Sequence, residues 1–207
     1  MKKTKALENL KRRLLACRLC EKVVPPVVAG EAVRSKIFLV GQAPGAREGS
    51  LGRPFAWTAG KTLFRWFEGI GVDEATFRAR AHMAAVARCF PGKASGGGDR
   101  VPSQREIEAC RPWMEQEAEL QRPELVIPVG GLAIRQILDA PRLADVIGRE
   151  HECYFFGRTT TCVPLPHPSG ASTWHRTEPG RSLLERALGL LAEHPAWGET
   201  FGGAGVS

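Results

Sequence analysis

The stretch Ile37-Phe38-Leu39-Val40, followed at once by Gly41-Gln42-Ala43-Pro44-Gly45, constrains the fold of this chain more than any other. A short unbroken apolar run bounded by turn residues reads as a strand buried on both faces, the pattern of parallel sheets that carry helices on each side. In open α/β sheets ligands bind beyond the carboxyl ends of such strands, so the turn is also the first place to look for a site. Gly41 and Gly45 let the backbone approach a ligand closely, and Pro44 stiffens the turn. Turns of this composition also end strands for purely structural reasons, so the rest of the chain must point to the same place.

Alternation of the two periodicities supplies the fold class. Leu7, Leu10, Leu14, Leu15 and Leu19 fall at helical spacing and predict a helix over residues 4 to 21 that delivers Cys17 and Cys20. After the Gly41 to Gly52 loop, Leu63, Phe64, Trp66, Phe67 and Ile70 form the apolar face of a second helix, stopped by Gly69 and Gly71. A helix over 73 to 81 and a strand over 82 to 87 follow. Lys93 to Pro102 is a glycine-rich loop, and Ser103 with Glu106 makes a capping box for the helix that carries Cys110. Leu125 to Val129 reads as a strand turning at Gly130-Gly131, then a helix over 132 to 138. Segments 153 to 156 and 159 to 164 read as a hairpin about Gly157, and 181 to 194 as a closing helix. Strands alternating with helices predict an α/β fold, a mainly parallel sheet sandwiched by helices. One domain over residues 1 to 197 is expected, with a frayed tail over 198 to 207.

A chain of 207 residues with 43% hydrophobic content suits one sizeable core. Its formal charge of +7 favours a polyanionic partner. No apolar run approaches the roughly twenty residues of a membrane span, and the basic N-terminus lacks the apolar segment of a secretory signal, so a cytoplasmic location without a membrane partner is expected. Six cysteines in such a compartment point to metal ligation rather than a disulfide framework. Cys17 and Cys20 form a Cys-x2-Cys pair, and Cys89 and Cys110 are separated by twenty residues. Four thiolates from two places can close one tetrahedral sulfur site. Zinc sites more often pair two Cys-x2-Cys knuckles, so the split second pair leans toward an iron-sulfur cluster. The alternative is that Cys89 and Cys110 are buried small hydrophobes, as Cys153 and Cys162 are expected to be.

Taken together, Gly41-Gln-Ala-Pro-Gly, Gly52-Arg-Pro-Phe with Ala59-Gly-Lys, the four cysteine positions, Val129-Gly and His167-Pro-Ser resemble the uracil-DNA glycosylase superfamily, specifically its iron-sulfur (family 4) branch. The resemblance runs from about Leu15 to Leu190. It implies a three-layer αβα sandwich about a central four-stranded, mainly parallel sheet, and a [4Fe-4S] cluster on Cys17, Cys20, Cys89 and Cys110. It further implies hydrolysis of the N-glycosidic bond of a damaged base, uracil, flipped out of DNA, and a monomer is expected. Two positions depart from it. The family's Gly-Glu-Ala-Pro-Gly has Gln42 here, and the other branch with that Gln follows it with a catalytic Asp where this chain has Ala43. The Asn that stands four residues before the family's third cysteine, reading the uracil edge, is Ala85.

Breaking an N-glycosidic bond makes the sugar oxocarbenium-like and the base anionic, which requires a held water or negative charge near C1′ and donors at the base oxygens. Gln42 holds a water without ionising, and Glu48, at an acidic position of the motif, is the expected water activator or cation stabiliser. His167, in a loop stiffened by Pro164, Pro166 and Pro168, is the expected donor to base oxygen. Phe55 resembles the aromatic platform for the flipped base. The backbone of Gly41, Ala43 and Gly45 cradles the pyrimidine, and Ala85 leaves its edge open to other deaminated bases. Ser169 and Gly170 are placed on phosphate, with Trp174 as intercalating wedge instead of the small Ala171, and Arg176 on the DNA backbone. The missing motif carboxylates motivate a second reading, a damaged- or abasic-DNA binding protein without turnover. A third is an unrelated zinc-stabilised nucleic-acid binder.

Overall fold

The computed structural model describes residues 2–170 and 172–202. Among them five strands form one sheet: β1 (Ile37–Gly41), β2 (His82–Ala85), β3 (Leu125–Pro128), β4 (His151–Phe155) and β5 (Arg158–Cys162), in the order β2-β1-β3-β5-β4. Four run parallel, as the alternating pattern predicts; β4 is added antiparallel at the edge of β5. The extra strand follows from the hairpin turn, where Phe156 (φ 43°) and Gly157 (φ 86°) are both left-handed and match the twist of an antiparallel pair. Cys153 pairs with Thr160 and Cys162 with His151, so the two thiols are diagonal neighbours rather than opposite; both are buried.

Alternate strand residues serve opposite layers. Ile37, Leu39, Leu125 and Ile127 pack with α3 (Thr58–Glu68), α4 (Glu74–Arg80), α8 (Gly180–Glu193) and α9 (Pro195–Phe201). Phe38, Val40 and Val126 pack with Ile107, Met114 and Ala118 of α5 (Gln104–Gln121). The predicted capping box at Ser103 and Glu106 is present at the start of α5. Short helices α2 (Glu48–Leu51), α6 (Gly131–Arg135) and α7 (Leu143–Val146) complete the connections.

Two sequence expectations are corrected. The first helix, α1 (Lys2–Leu15), stops well short of residue 21, because Leu15 and Leu19 are exposed and nothing buries the continued stripe. Cys17 and Cys20 therefore lie in irregular chain beyond it. At the other end, the boundary at residue 197 cuts through α9: Trp197 and Phe201 are buried, Phe201 stacking on Phe77 with ring centroids 5.6 Å apart. The remainder of the expected tail, residues 203–207, lies outside the described residues. Among the described residues no helix is long and apolar enough to cross a membrane.

Candidate active site

A cleft of about 770 Å³ opens at the carboxyl ends of β1 and β2. Most of its wall comes from four separated segments: the turn after β1, the Pro54 to Ala59 stretch, the glycine-rich loop through Asp99, and the loop carrying His167 and Ser169. Gly41, Gln42, Ala43, Gly45, Glu48, Phe55, Ala85, His167 and Ser169 all line it, so the structure brings together nine of the residues singled out in the sequence. The turn is held rigidly, since Gly41 and Gln42 carbonyls accept from Val86 and Ala87 amides, each at 3.0 Å.

Phe55 is fixed with unusual completeness. It adopts a left-handed backbone (φ 52°), a strained conformation for an aromatic residue that needs support from its surroundings. Its ring lies against Gly41, where a Cβ would stand 2.9 Å from the ring edge. Its carbonyl sits over Gly60, where a Cβ would stand 1.7 Å from that oxygen. The Arg78 guanidinium donates to the Phe55 carbonyl at 2.9 Å, to the Pro54 carbonyl at 2.8 Å and to Glu74 Oε1 at 2.8 Å. Arg78 is a positioning residue that sequence reasoning missed; no motif marks it, because its role exists only once α4 packs beside the turn.

Glu48 opens α2 and is 7% exposed. Burial pushes its carboxyl up to about 7, while backbone amides of Gly45, Phe55 and Ala56, together with Arg78, oppose the rise. A carboxyl poised near neutrality is suited to accept a proton at physiological pH. A second carboxylate reaches the same cleft: Asp99 Oδ2 lies 3.5 Å from where a Gly45 Cβ would be, and Asp99 Oδ1 accepts from Lys93 Nζ at 2.6 Å. The sequence marked this loop only by its glycines.

His167 packs on Gly130, whose φ of 89° and missing Cβ make room for the imidazole. The Ser169 amide donates to His167 Nδ1 at 3.3 Å, which leaves the ring proton on Nε2. Burial, and then the neighbouring His175, lower its pKa, so the ring is neutral at pH 7 and Nε2–H is its donor.

The expected DNA contacts divide. Ser169 is half-buried beside His167, whereas Gly170 and Arg176 are exposed. Trp174 does not project as a wedge. It packs on the core, and a Cβ at Gly180 would stand 1.9 Å from its carbonyl and 2.8 Å from its indole. Ala171 lies outside the described residues.

Cys17, Cys20, Cys89 and Cys110 line a separate small cavity of about 80 Å³ with Leu14, Val27 and Trp113, and all four are free thiols. Among the described residues no group of three or more His, Cys, Asp or Glu side chains is arranged to hold a metal ion. The donor chemistry nonetheless fits a thiophilic group. Burial, then proximity to Cys110, Cys17 and Cys20, pushes Cys89 up to about 11, and Cys20 and Cys110 are also raised, so the thiolates need a positive centre to coexist. Arg88, 1% exposed, lines this cavity and donates Nε to the carbonyl of the cleft residue Ala85 at 2.8 Å and Nη1 to Glu117 Oε1 at 3.0 Å. His82 Nε2 stands 3.6 Å from the same carboxylate.

Comparison with known proteins agrees with this geometry. The uracil DNA glycosylase superfamily model matches residues 28–189. The chain is 30% identical over 171 residues to a type-4 uracil-DNA glycosylase of Pyrobaculum aerophilum, covering 79% of this chain and 83% of the relative. It is 27% identical over 172 residues to the type-4 enzyme of Archaeoglobus fulgidus (79% and 82%), and 26% over 175 residues to that of Sulfurisphaera tokodaii (80% and 76%).

Proposed function

Because the chain belongs to the uracil DNA glycosylase superfamily, we propose that it hydrolyses the N-glycosidic bond of uracil everted from DNA, leaving an abasic site. The observation that carries this reading is the convergence of Glu48, Phe55 and His167, from three distant segments, on one cleft beside the turn after β1. The everted base stacks on Phe55, whose fixed backbone pre-organises the platform. As the bond lengthens, negative charge builds on the base oxygen and meets His167 Nε2–H and the amides of the turn. Gln42 orients water, and Glu48 takes its proton while stabilising the positive sugar. Ser169 and Gly170 hold phosphate and Arg176 the DNA backbone.

Ala85 presents only a methyl group to the cleft. With no buried amide left unpaired by a wrong base, hypoxanthine, xanthine and ethenocytosine also become substrates. The protein acts as a monomer. A [4Fe-4S] cluster on Cys17, Cys20, Cys89 and Cys110 would pin the segment after α1 to α5, and it supplies no step of the hydrolysis. A brown preparation absorbing in the blue-violet supports the cluster, and a colourless zinc-loaded protein overturns it.

The test of function is a uracil-containing oligonucleotide incubated with the protein and then treated with alkali. Strand cleavage is the expected result. An intact strand bound tightly would favour the non-catalytic reading, which the absence of a carboxylate at Gln42 and Ala43 motivates.

A further inference from the structure

The cleft has one rim residue that neither the fold nor the proposed chemistry explains. Trp57 is 47% exposed and, among the described residues, is the only exposed large apolar side chain on the cleft wall. Leaving an indole in water forfeits substantial apolar burial, and Trp57 offers no oxygen to cap α3, whose N-cap position it occupies. The guanidinium of Arg47, also on the cleft wall, lies over its ring, 5.8 Å from the centroid. Arg47 has no carboxylate partner among the described residues, so its charge is free to meet an anion. Trp174, the aromatic expected to contact DNA, packs on the core instead.

Resting on the glycosylase reading, we propose that Trp57 stacks on the nucleobase next to the everted nucleotide on the same strand, with Arg47 on the phosphate between them. The cleft then binds a two-nucleotide step: Phe55 takes the target base inside and Trp57 its neighbour at the rim. An indole face suits any base, so this contact adds affinity without adding sequence preference. It also predicts that a single strand is sufficient substrate, since no opposing strand is needed for the stack.

The experiment compares wild type, Trp57→Ala and Trp57→Phe on single-stranded oligonucleotides carrying one uracil, with each flanking nucleotide either intact or replaced by an abasic tetrahydrofuran residue. Trp57→Ala is expected to lose roughly tenfold in kcat/KM on the intact strand, within the range of a base–aromatic stack. Removing the correct flanking base should cost wild type the same, and the two changes together should cost no more than either alone. Trp57→Phe should restore most of the loss. An unchanged rate in Trp57→Ala, or losses that multiply, overturns the inference. Failure of wild type to cleave even the intact strand defeats the glycosylase reading instead, and the same cycle of variants and strands is then read as Kd by fluorescence anisotropy, with the same criteria.

Discussion

Glu48, beside the turn after β1, and Glu117, on α5, are both buried carboxylates, and the protein treats them in opposite ways. Glu117 is clamped by the Arg88 guanidinium, with His82 alongside; burial would raise its pKa, yet these neighbours hold it down to about 2. Glu48 has no side-chain ion pair among the described residues and is pushed up to about 7. A carboxylate that must only hold the fold is given a cation, which fixes its charge at every physiological pH. Glu48, proposed to exchange a proton, is given no such ion pair.

The contrast can be broken at either end. Glu117→Ala leaves Arg88 charged and buried without its partner, and is expected to cost about 3–5 kcal/mol of stability by chemical denaturation. Glu48→Gln should leave stability equal or higher and lower kcat by roughly 100-fold or more, abolishing the rise of activity through about pH 7. The two groups also predict opposite pH dependences of folding. Glu48 has a folded pKa above its ordinary value of 4.5, so its contribution is fully present below that pH and is lost as pH rises through about 7, up to about 3 kcal/mol. Glu117 has a folded pKa below 4.5, so its contribution is present above that value and lost as pH falls toward about 2. Denaturation of wild type, Glu48→Gln and Glu117→Gln across pH 3 to 8 checks both signs. The smallest effect is expected at Ala85, whose carbonyl belongs to the Arg88 network while its methyl faces the cleft. Ala85→Asn should lower excision of hypoxanthine and xanthine relative to uracil by roughly tenfold, measured in competition on one oligonucleotide mixture.

What the sequence made legible was what local chemistry dictates. The run into Gly41 declared a buried strand, Ser103 and Glu106 declared a helix start, and the motif segments identified Glu48, Phe55 and His167 as neighbours before any contact was known. Other features depend on partners far away in the chain. Leu15 and Leu19 continue a helical period that no surface buries, so α1 ends early. Phe201 looks like part of a glycine-rich tail until Phe77 provides a ring to stack on. Trp174 reads equally as wedge or core until Gly180 is seen beneath it. Arg78 and Asp99 carry no local signature at all, because each acquires its role from the turn it packs against.

The seating of Phe55 has an evolutionary corollary. Its ring fills the volume that any side chain at position 41 would need, and its carbonyl fills the volume that any side chain at position 60 would need. A lineage that exchanged Gly41 would have to displace the ring, the proposed surface on which a base is received, whereas position 60 is closed by the backbone carbonyl of residue 55 whatever side chain stands there.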